Sequence, residues 1–418
     1  MKPNRLGSVA RAVAESPRAA GFLIGLVLGA AYLGVRFESL QGIGESVDHS
    51  PGLMHDFSMY FYRTGKSLMA GGGPVGGFLY PPTLGILMMP FSLLSLADAR
   101  FLWGILEALA ILALTGISGR MAPPRIGWVA LATAATLLST PVLHNFKWGQ
   151  LGVPLTVLGL LGAEAIGARR LLSVVLISLV ASIKLYPAVL FSVFLRRRDG
   201  KALLASAACV AALVFGAPGL VLGLRRMRRF FEKVAPFLSA TADTTDPNSQ
   251  SVSHWLTRSF DAPPEGLVMG LAALMALISA ALLRGARSSD ARTLDRFTAF
   301  LSLAWIPFVV PTCWANYFAF LPPLAAFLAR QGDALPPGGR RLVHASSVAV
   351  LLAGSFVSVD LIGGWRPYVA EGVLLLADLL AALTALGILA VRTWERPRAA
   401  APGPGAPPSD RVGDLLEA

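Results

Sequence analysis

The sequence predicts an all-α, polytopic membrane protein. Hydrophobic residues make up 55% of the 418 residues and charged residues only 14%, whereas charged residues form about a quarter of a typical soluble domain. The mean hydropathy is +0.63. Apolar runs recur from residue 20 to residue 391. We therefore expect one membrane domain, residues 1–395, with about 12 transmembrane helices, followed by a disordered Pro/Ala/Gly-rich cytoplasmic tail, residues 396–418.

The N-terminus carries four basic residues before its first apolar run, residues 21–35. This pattern resembles a signal peptide, but further apolar segments follow, so we interpret it as an uncleaved first transmembrane helix. The net charge of +12 resides mostly in short loops, as the positive-inside rule expects, and does not indicate nucleic-acid binding. Cys209 and Cys313 lie in or next to apolar segments, so a disulfide framework is not expected.

Two of the apolar runs do not predict a single span. The run at 79–96 contains Pro90 and can be a juxtamembrane element, and the run at 171–196 can be two short helices broken at Tyr186-Pro187, because proline removes a backbone donor. The apolar runs are 20–37, 79–96, 100–118, 126–144, 150–167, 171–196, 201–222, 266–284, 297–311, 314–329, 342–362 and 368–391.

The distribution of Lys and Arg separates the possible topologies. If 79–96 does not cross, 171–196 crosses twice and the N-terminus is inside, most of the Lys and Arg residues fall on the inner side. A crossing 79–96 and a single 171–196 span would leave Lys184 in the hydrocarbon, which is costly. It would also place four arginines outside: Arg120, Arg125, Arg169 and Arg170. We therefore prefer the first topology, in which both termini are cytoplasmic.

This topology gathers the polar segments on the outer face of a plasma or inner membrane. The first outer loop covers about residues 38–99 and contains juxtamembrane helices, and the second large outer loop covers about 223–265. Lys184, the only charged residue between Leu171 and Leu195, then lies near the membrane surface. It can snorkel to lipid head groups or act as a counter-charge for an anionic ligand.

The first outer loop contains a group of acids and histidines: Asp48, His49, His55 and Asp56. Aromatic residues follow Asp56. A carboxylate at a membrane interface loses part of its solvation, which raises its pKa toward the range of a general base. Alternatively, Asp56 is a solvated acid or a helix N-cap before Phe57. One base is sufficient for a direct inverting displacement without a covalent sugar–enzyme intermediate.

Other polar groups of the predicted outer face are cationic or hydrogen-bonding. Lys147 and the segment Arg225–Lys233 are basic, and the segment has the pattern of an amphipathic interfacial helix, which anionic lipids alone can explain. The polar segment Asp243–Arg258 suits sugar hydroxyls or a phosphate, and a solvated loop explains it nearly as well. Asp243 and Asp246 alone do not predict a metal site, and no phosphate-binding loop motif is present.

Several motifs, in order, resemble those of glycosyltransferase family 87. These are polytopic enzymes of the GT-C architecture that take a sugar from a polyprenyl-phosphate donor. The pieces that carry the resemblance are Asp56–Trp103, "KWGQLGVPL" (Lys147–Leu155), "KLYP" from Lys184 with the following "RRR", "NSQS" from Asn248, and "PTCWANYFAFLPPL" (Pro311–Leu324).

The resemblance implies roles at individual positions. Asp56 matches the general base that activates the acceptor hydroxyl, Lys184 lies near the donor phosphate with Arg258 as a second cation, and Gln150 matches the glutamine of the Gly-Gln motif. No cofactor or metal is expected; the partners are a polyprenyl-phosphate sugar, a lipid or glycan acceptor and the bilayer, with no nucleic acid. The expected substrate-binding residues are Tyr60, Tyr80, Gln150, Tyr186, Asn248, Gln250, His254, Trp314 and Asn316.

The sequence departs from the family pattern in two places. Family members often carry a histidine just after the tryptophan that matches Trp314, where this chain has Asn316 and Tyr317. The segment from Asn248 to Ser251 is one residue longer than the usual Asn-Gln-Ser. These departures bear on donor identity and activity.

Three other functions remain open from the sequence. A transporter or flippase for a lipid-linked glycan would use the same polar groups to line a pathway, but transporters tend to place charges at the midplane of paired repeats. A polymerase or ligase of cell-surface glycans is also polytopic with large outer loops, and an inactive paralogue could serve as a partner subunit. The gathering of polar groups on one face favours the enzyme, and the family suggests mannose as the sugar.

Overall fold

The computed structural model describes residues 16–36, 52–239, 248–260, 265–286 and 289–394. Within these ranges the chain is helical and contains no strand, as expected for the all-α class; a single isolated β-bridge joins Ser139 and Ser355. The expectations for Asp48, His49, Asp243, Asp246 and the tail fall outside the described residues.

We number the α-helices in chain order. The first eleven are α1 Pro17–Val35, α2 Arg63–Met69, α3 Pro82–Met88, α4 Leu96–Met121, α5 Ile126–Leu137, α6 Thr140–Trp148, α7 Gly152–Ala165, α8 Arg170–Ile183, α9 Ser192–Arg196, α10 Gly200–Ala211 and α11 Ala217–Leu222. The remainder are α12 Leu224–Ser239, α13 Val252–Ser259, α14 Glu265–Gly285, α15 Ala291–Ala304, α16 Ile306–Val309, α17 Leu321–Gly332, α18 Pro337–Ala353, α19 Phe356–Ile362, α20 Trp365–Ala370 and α21 Val373–Trp394. Short 3₁₀ or π-helical segments cover Phe57–Tyr62, Phe91–Leu93, Tyr186–Phe191, Ala212–Gly216 and Ala315–Phe318.

Five helical segments of the described chain are long and apolar enough to cross a membrane. They are Pro17–Val35, Leu96–Met121, Gly200–Leu222, Gly266–Gly285 and Val373–Trp394. The other predicted spans are shorter or interrupted, so the described residues do not confirm the expected count of about 12. The run at 79–96 holds the seven-residue α3, which is about 10 Å long and cannot cross a hydrocarbon core of about 30 Å.

The irregular backbone between α5 and α6 is hydrogen-bonded to the irregular backbone between α18 and α19. Between α5 and α6, Thr140 donates its backbone N–H to Gly354 O at 2.8 Å. Between α18 and α19, Phe356 donates to Leu138 O at 2.7 Å. Irregular backbone at membrane depth is tolerated where protein satisfies its polar groups. These reciprocal bonds explain how both runs can be interrupted although the sequence reads as continuous apolar segments.

The run at 171–196 is a broken hairpin, as the preferred topology requires. Helix α8 ends at Ile183, Lys184 is extended with φ −144° and ψ 132°, and the chain continues in the 3₁₀ segment and α9. Arg170, at the start of α8, forms an ion pair with Asp199, just beyond α9. The two ends of the hairpin are therefore together, and Lys184 lies at its turn.

One end of the helical bundle, which we call the basic end, is held by ion pairs. Asp295 at the start of α15 accepts from both Arg196 and Arg197, and Glu164 at the end of α7 accepts from both Arg292 and Arg296. Each of these pairs joins helices that are distant in sequence. These ion pairs hold the C-terminal ends of α7 and α9 against the first turns of α15.

The other end, which we call the site end, carries a small second core. The π-helical segment, α2 and α3 pack with α12 over the start of α4. Phe230 and Val234 on α12 are buried, whereas Arg225 and Arg229 are exposed. The prediction of an amphipathic helix at Arg225–Lys233 is confirmed, and its apolar face covers the first loop rather than facing lipid alone.

Candidate active site

Asp56 is held by the aromatic segment that follows it. It directly precedes the π-helical turn Phe57–Tyr62. Phe57 is fully buried and stacks on Trp103 of α4, with ring centroids 4.9 Å apart. Asp56 itself is half-buried and its side chain makes no capping hydrogen bond. The alternative role of a simple N-cap is therefore not supported, and the carboxylate is available for other partners.

Gln150 connects Asp56 with two other predicted site residues. Its Nε2 donates to Asp56 Oδ2. Its Oε1 accepts from the Tyr80 hydroxyl at 2.8 Å and from Asn316 Nδ2 at 3.5 Å. One amide therefore joins the first loop, the turn after α6 and the segment before α17.

The turn that presents Gln150 depends on Gly149. Gly149 ends α6 in the left-handed region, with φ 66°, which costs glycine little. A Cβ at this position would lie 2.9 Å from Phe57 Cβ. The Trp103 Nε1 donates to Gly149 O at 3.2 Å. The Gly-Gln motif is thus a tight turn against the same aromatic residues that hold Asp56.

The environment of Asp56 suits a proton acceptor. Burial raises the pKa of Asp56 to about 6, and the Gln150 hydrogen bond and the charge of Lys184 oppose this rise. A base with a pKa just below neutral pH is largely ionised at pH 7 and still takes up a proton readily. Burial and the neighbouring Asp56 also raise the pKa of Tyr60.

Lys184 is enclosed by three tyrosine rings. Its Nζ lies 4.1 Å from the ring centroid of Tyr317, 5.2 Å from that of Tyr80 and 5.3 Å from that of Tyr186. The rings of Tyr186 and Tyr317 stack at 4.3 Å. Only 9% of Lys184 is exposed, so it does not snorkel to solvent, and the cation–π contacts hold the ammonium in the site.

The charge state of Lys184 is balanced near neutral pH. Burial lowers its pKa to about 7, and the neighbouring Cys313 and Asp56 oppose this fall. An anion placed beside the ammonium would favour the charged form and raise this pKa. Lys184 therefore has the properties of a cation that becomes fully charged when an anionic ligand binds.

A second layer of predicted residues packs next to the Lys184 site. Gln250 donates its backbone N–H to Cys313 O at 2.7 Å and its Nε2 to Val369 O at 2.8 Å. Asn248 Oδ1 accepts from Trp365 Nε1 at 2.8 Å. Cys313 also lies within electrostatic range of Lys184. This second layer therefore packs directly behind the Lys184 site.

His254 and Arg258 belong to α13 within the same layer. His254 is buried, and its backbone N–H is capped by Ser251 Oγ at 3.3 Å. Arg258 Nη1 donates to Ser249 O at 3.0 Å, so part of its guanidinium secures the loop. Trp314 is half-buried and begins the 3₁₀ turn that contains Asn316.

The structure thus brings the predicted residues together in two groups. The first surrounds Asp56 and Lys184 directly, and the second lies behind Cys313. Members of the first group are Asp56, Tyr60, Tyr80, Gln150, Lys184, Tyr186 and Asn316; members of the second are Asn248, Gln250, His254 and Arg258.

Sequence reasoning missed a buried pair below this site. Glu107 of α4 is fully buried and accepts from Asn145 Nδ2 at 2.6 Å. Asn145 in turn accepts from Gln150 N at 2.9 Å through its carbonyl and from Val153 N at 3.1 Å through Oδ1. A lone acid inside a long apolar helix was the available signal for Glu107. Tyr317 was noted only as a departure and is the ring closest to Lys184.

Among the described residues, no group of three or more His, Cys, Asp or Glu side chains is arranged to hold a metal ion. Both cysteines are free, Cys313 buried and Cys209 half-buried.

Comparison with known proteins identifies the family of this chain. Residues 78–311 match the model of glycosyltransferase family 87; this range includes Tyr80, Gln150 and Lys184 and begins after Asp56. A polyprenol-phosphate-mannose-dependent alpha-(1-2)-phosphatidylinositol pentamannoside mannosyltransferase of Mycolicibacterium smegmatis is 30% identical over 291 residues, which are 66% of this chain and 67% of the relative.

A second relative comes from Mycobacterium tuberculosis. This polyprenol-phosphate-mannose-dependent alpha-(1-2)-phosphatidylinositol mannoside mannosyltransferase is 27% identical over 298 residues, which are 64% of this chain and 67% of the relative. The apolar helices that can cross a membrane and these similarities define a membrane glycosyltransferase. The chain belongs to glycosyltransferase family 87.

Proposed function

We propose that this glycosyltransferase moves mannose from a polyprenyl-phosphate donor to a lipid or glycan acceptor, with inversion at the sugar carbon. The similar proteins named above depend on polyprenol-phosphate-mannose and act on phosphatidylinositol mannosides. The single observation that supports this chemistry best is the link between half-buried Asp56 and Lys184 through Tyr80, whose ring contacts Lys184 and whose hydroxyl bonds to Gln150, the partner of Asp56.

The proposed reaction is a single displacement. Asp56 takes the proton of the acceptor hydroxyl while its oxygen bonds to the sugar carbon and the bond from that carbon to the phosphate oxygen breaks. The electron pair of the broken bond stays on the polyprenyl phosphate, where Lys184 stabilises the added negative charge. The Gln150 amide orients Asp56 through its Nε2 and keeps Tyr80 in the wall through its Oε1.

We further propose that the site end faces the outside of a plasma or inner membrane, in a GT-C type arrangement with cytoplasmic termini. The arginines of the basic end support this orientation, because Lys and Arg accumulate in cytoplasmic loops. A cysteine placed in the exposed loop at Gly76, in a Cys209→Ala background that keeps the buried Cys313, should react with an impermeant maleimide in intact cells. A cysteine at exposed Arg284 should react only after the cells are opened, and the reverse pattern contradicts the orientation.

The donor is tested with purified protein in liposomes. We expect transfer of labelled mannose from synthetic polyprenyl-phosphate-mannose, and none from a nucleotide sugar at equal concentration. Lys184→Met should raise the KM for the donor, because the neutral side chain no longer attracts its phosphate. Transfer from the nucleotide sugar alone, or an unchanged donor KM in this variant, would contradict the proposal.

A further inference from the structure

Two adjoining cavities at the basic end are rich in arginine. The larger has a volume of about 570 Å³ and lies where α1 meets α4, with Arg18, Phe22 and Arg120 among its lining residues. The smaller, of about 240 Å³, is lined by Arg120, Arg292 and Arg296 among others. Arg120 lines both cavities. Together they form one groove, which we call the arginine groove.

The charges of the arginine groove are only partly neutralised. Glu164 lines the smaller cavity and pairs with Arg292 at 2.8 Å and with Arg296. Within the described part of the chain, neither Arg18 nor Arg120 forms an ion pair with a carboxylate. The groove therefore carries an excess of positive charge that a ligand can balance.

More positive charge lies beside the arginine groove. Arg330 is within electrostatic range of Arg18 and Arg296, and its Nη1 donates to the backbone carbonyl of Arg120 at 3.3 Å. Arginines brought this close repel one another unless an anion lies between them. Guanidinium groups also match the geometry of phosphate oxygens.

The walls of the arginine groove are apolar. Phe22, Ile117 and Val129 line the larger cavity, and Leu161 lines both. Leu161 is 39% exposed on the surface of α7. A ligand of this groove therefore needs an anionic head and apolar chains, which is the composition of an anionic phospholipid. Basic pockets between membrane helices commonly hold such head groups.

The arginine groove is separate from the candidate active site. Trp103 of α4 contacts Phe57 and Gly149 at the site end, whereas Arg120 is in the last turn of the same helix. Seventeen residues of helix separate them, a rise of about 26 Å. A molecule in the groove cannot contact Asp56 or Lys184, so it is not the donor in its reactive position.

We propose that the arginine groove is a binding site for a two-chain anionic phospholipid, whose phosphate lies between Arg18 and Arg120. The acyl chains follow Phe22 and Leu161 along α1 and α7. The bound lipid contacts the start of α1, the last turn of α4 and the start of α15. It therefore stabilises the basic end of the helical bundle.

The test uses the full chain purified in a mild detergent. Phosphatidylglycerol is titrated in, and bound lipid is counted by native mass spectrometry, with phosphatidylcholine of identical chains as the neutral comparison. We expect selective retention of phosphatidylglycerol. Arg18→Gln/Arg120→Gln should weaken its binding about thirtyfold, taking about 1 kcal/mol for each basic residue near an anionic lipid and 1.4 kcal/mol per tenfold.

A matched double variant provides the control. Arg284→Gln/Arg341→Gln removes two exposed cations that do not line either cavity and should bind phosphatidylglycerol as the wild type does. If the first double variant does not fold, Arg120→Gln alone carries the test, with a weakening of about fivefold.

Four results would overturn the proposal. One is equal retention of phosphatidylcholine, and another is equal loss of phosphatidylglycerol in both double variants. The third is displacement of phosphatidylglycerol by millimolar inorganic phosphate, which would identify a simple anion site. Preferential retention of a polyprenyl monophosphate over phosphatidylglycerol would likewise contradict the two-chain assignment.

Discussion

Replacement of Lys184 by arginine should change the pH dependence of the enzyme more than its maximal activity. Lys184 has a pKa of about 7, lowered from 10.5 by burial. This shift corresponds to about 5 kcal/mol in favour of the neutral amine. An arginine keeps its proton in proteins, so at this position it stays charged throughout the working range.

The expected profiles follow from two titrations. In the wild type, kcat/KM should rise as Asp56 loses its proton near pH 6 and fall as Lys184 loses its proton near pH 7. Between pH 7 and pH 9 the charged fraction of such a lysine falls about fiftyfold. Lys184→Arg should keep the acidic limb and lose the alkaline limb, although the larger side chain among Tyr80, Tyr186 and Tyr317 lowers the overall rate.

The assay is transfer of labelled mannose at low donor concentration across this pH range. Cys313→Ala is the control, because the Cys313 thiol is a further ionisable group near Lys184; this variant should keep the alkaline limb. The bound donor phosphate should also move the alkaline limb of kcat to higher pH than that of kcat/KM. An Lys184→Arg profile with the wild-type alkaline limb would refute the assignment of that limb to Lys184.

Three other perturbations test parts of the same architecture. Gln150→Leu removes a hydrogen bond that lowers the pKa of Asp56, so the acidic limb of kcat/KM should move to higher pH; an unchanged limb would show that the amide does not act on this carboxylate. Asn145→Leu leaves buried Glu107 without its 2.6 Å donor and should cost about 2 kcal/mol in the free energy of unfolding, with kcat lowered and the pH profile unchanged. Thr384→Leu, at a half-buried position of α21, should leave both the stability and kcat unchanged. Gly25→Val places a Cβ 2.5 Å from Ala130 O, so α1 must separate from α5. The free energy of unfolding should fall by about 2–3 kcal/mol, and the melting temperature should fall by several degrees. Gly34→Val is the control, because a Cβ at Gly34 meets nothing within 4 Å.

Much of this arrangement could be predicted from sequence because it depends on charge and local pattern. A single lysine in an apolar run needs a polar environment, and this requirement correctly split the 171–196 run and placed Lys184 at a turn. The alternation of basic and apolar residues in Arg225–Lys233 likewise predicted α12, because this pattern is local in the sequence.

Long-range pairing could not be predicted in this way. The interruption between α5 and α6 is stabilised by backbone bonds to a segment more than 200 residues away, and no local pattern encodes it. The tyrosine cage likewise combines Tyr80, Tyr186 and Tyr317 from three separate segments. Tyr317 marks a departure from the family pattern, and only its position beside Lys184 gives it a role.

The most direct test of the proposed chemistry is single-turnover transfer by Asp56→Asn in liposomes that contain saturating polyprenyl-phosphate-mannose. Asp98→Asn, which alters an exposed acid at the start of α4, is the matched control. The account predicts wild-type transfer for Asp98→Asn and a fall of at least about a hundredfold for Asp56→Asn, with donor binding retained. Equal single-turnover rates for the two variants would contradict the role of Asp56 as the base.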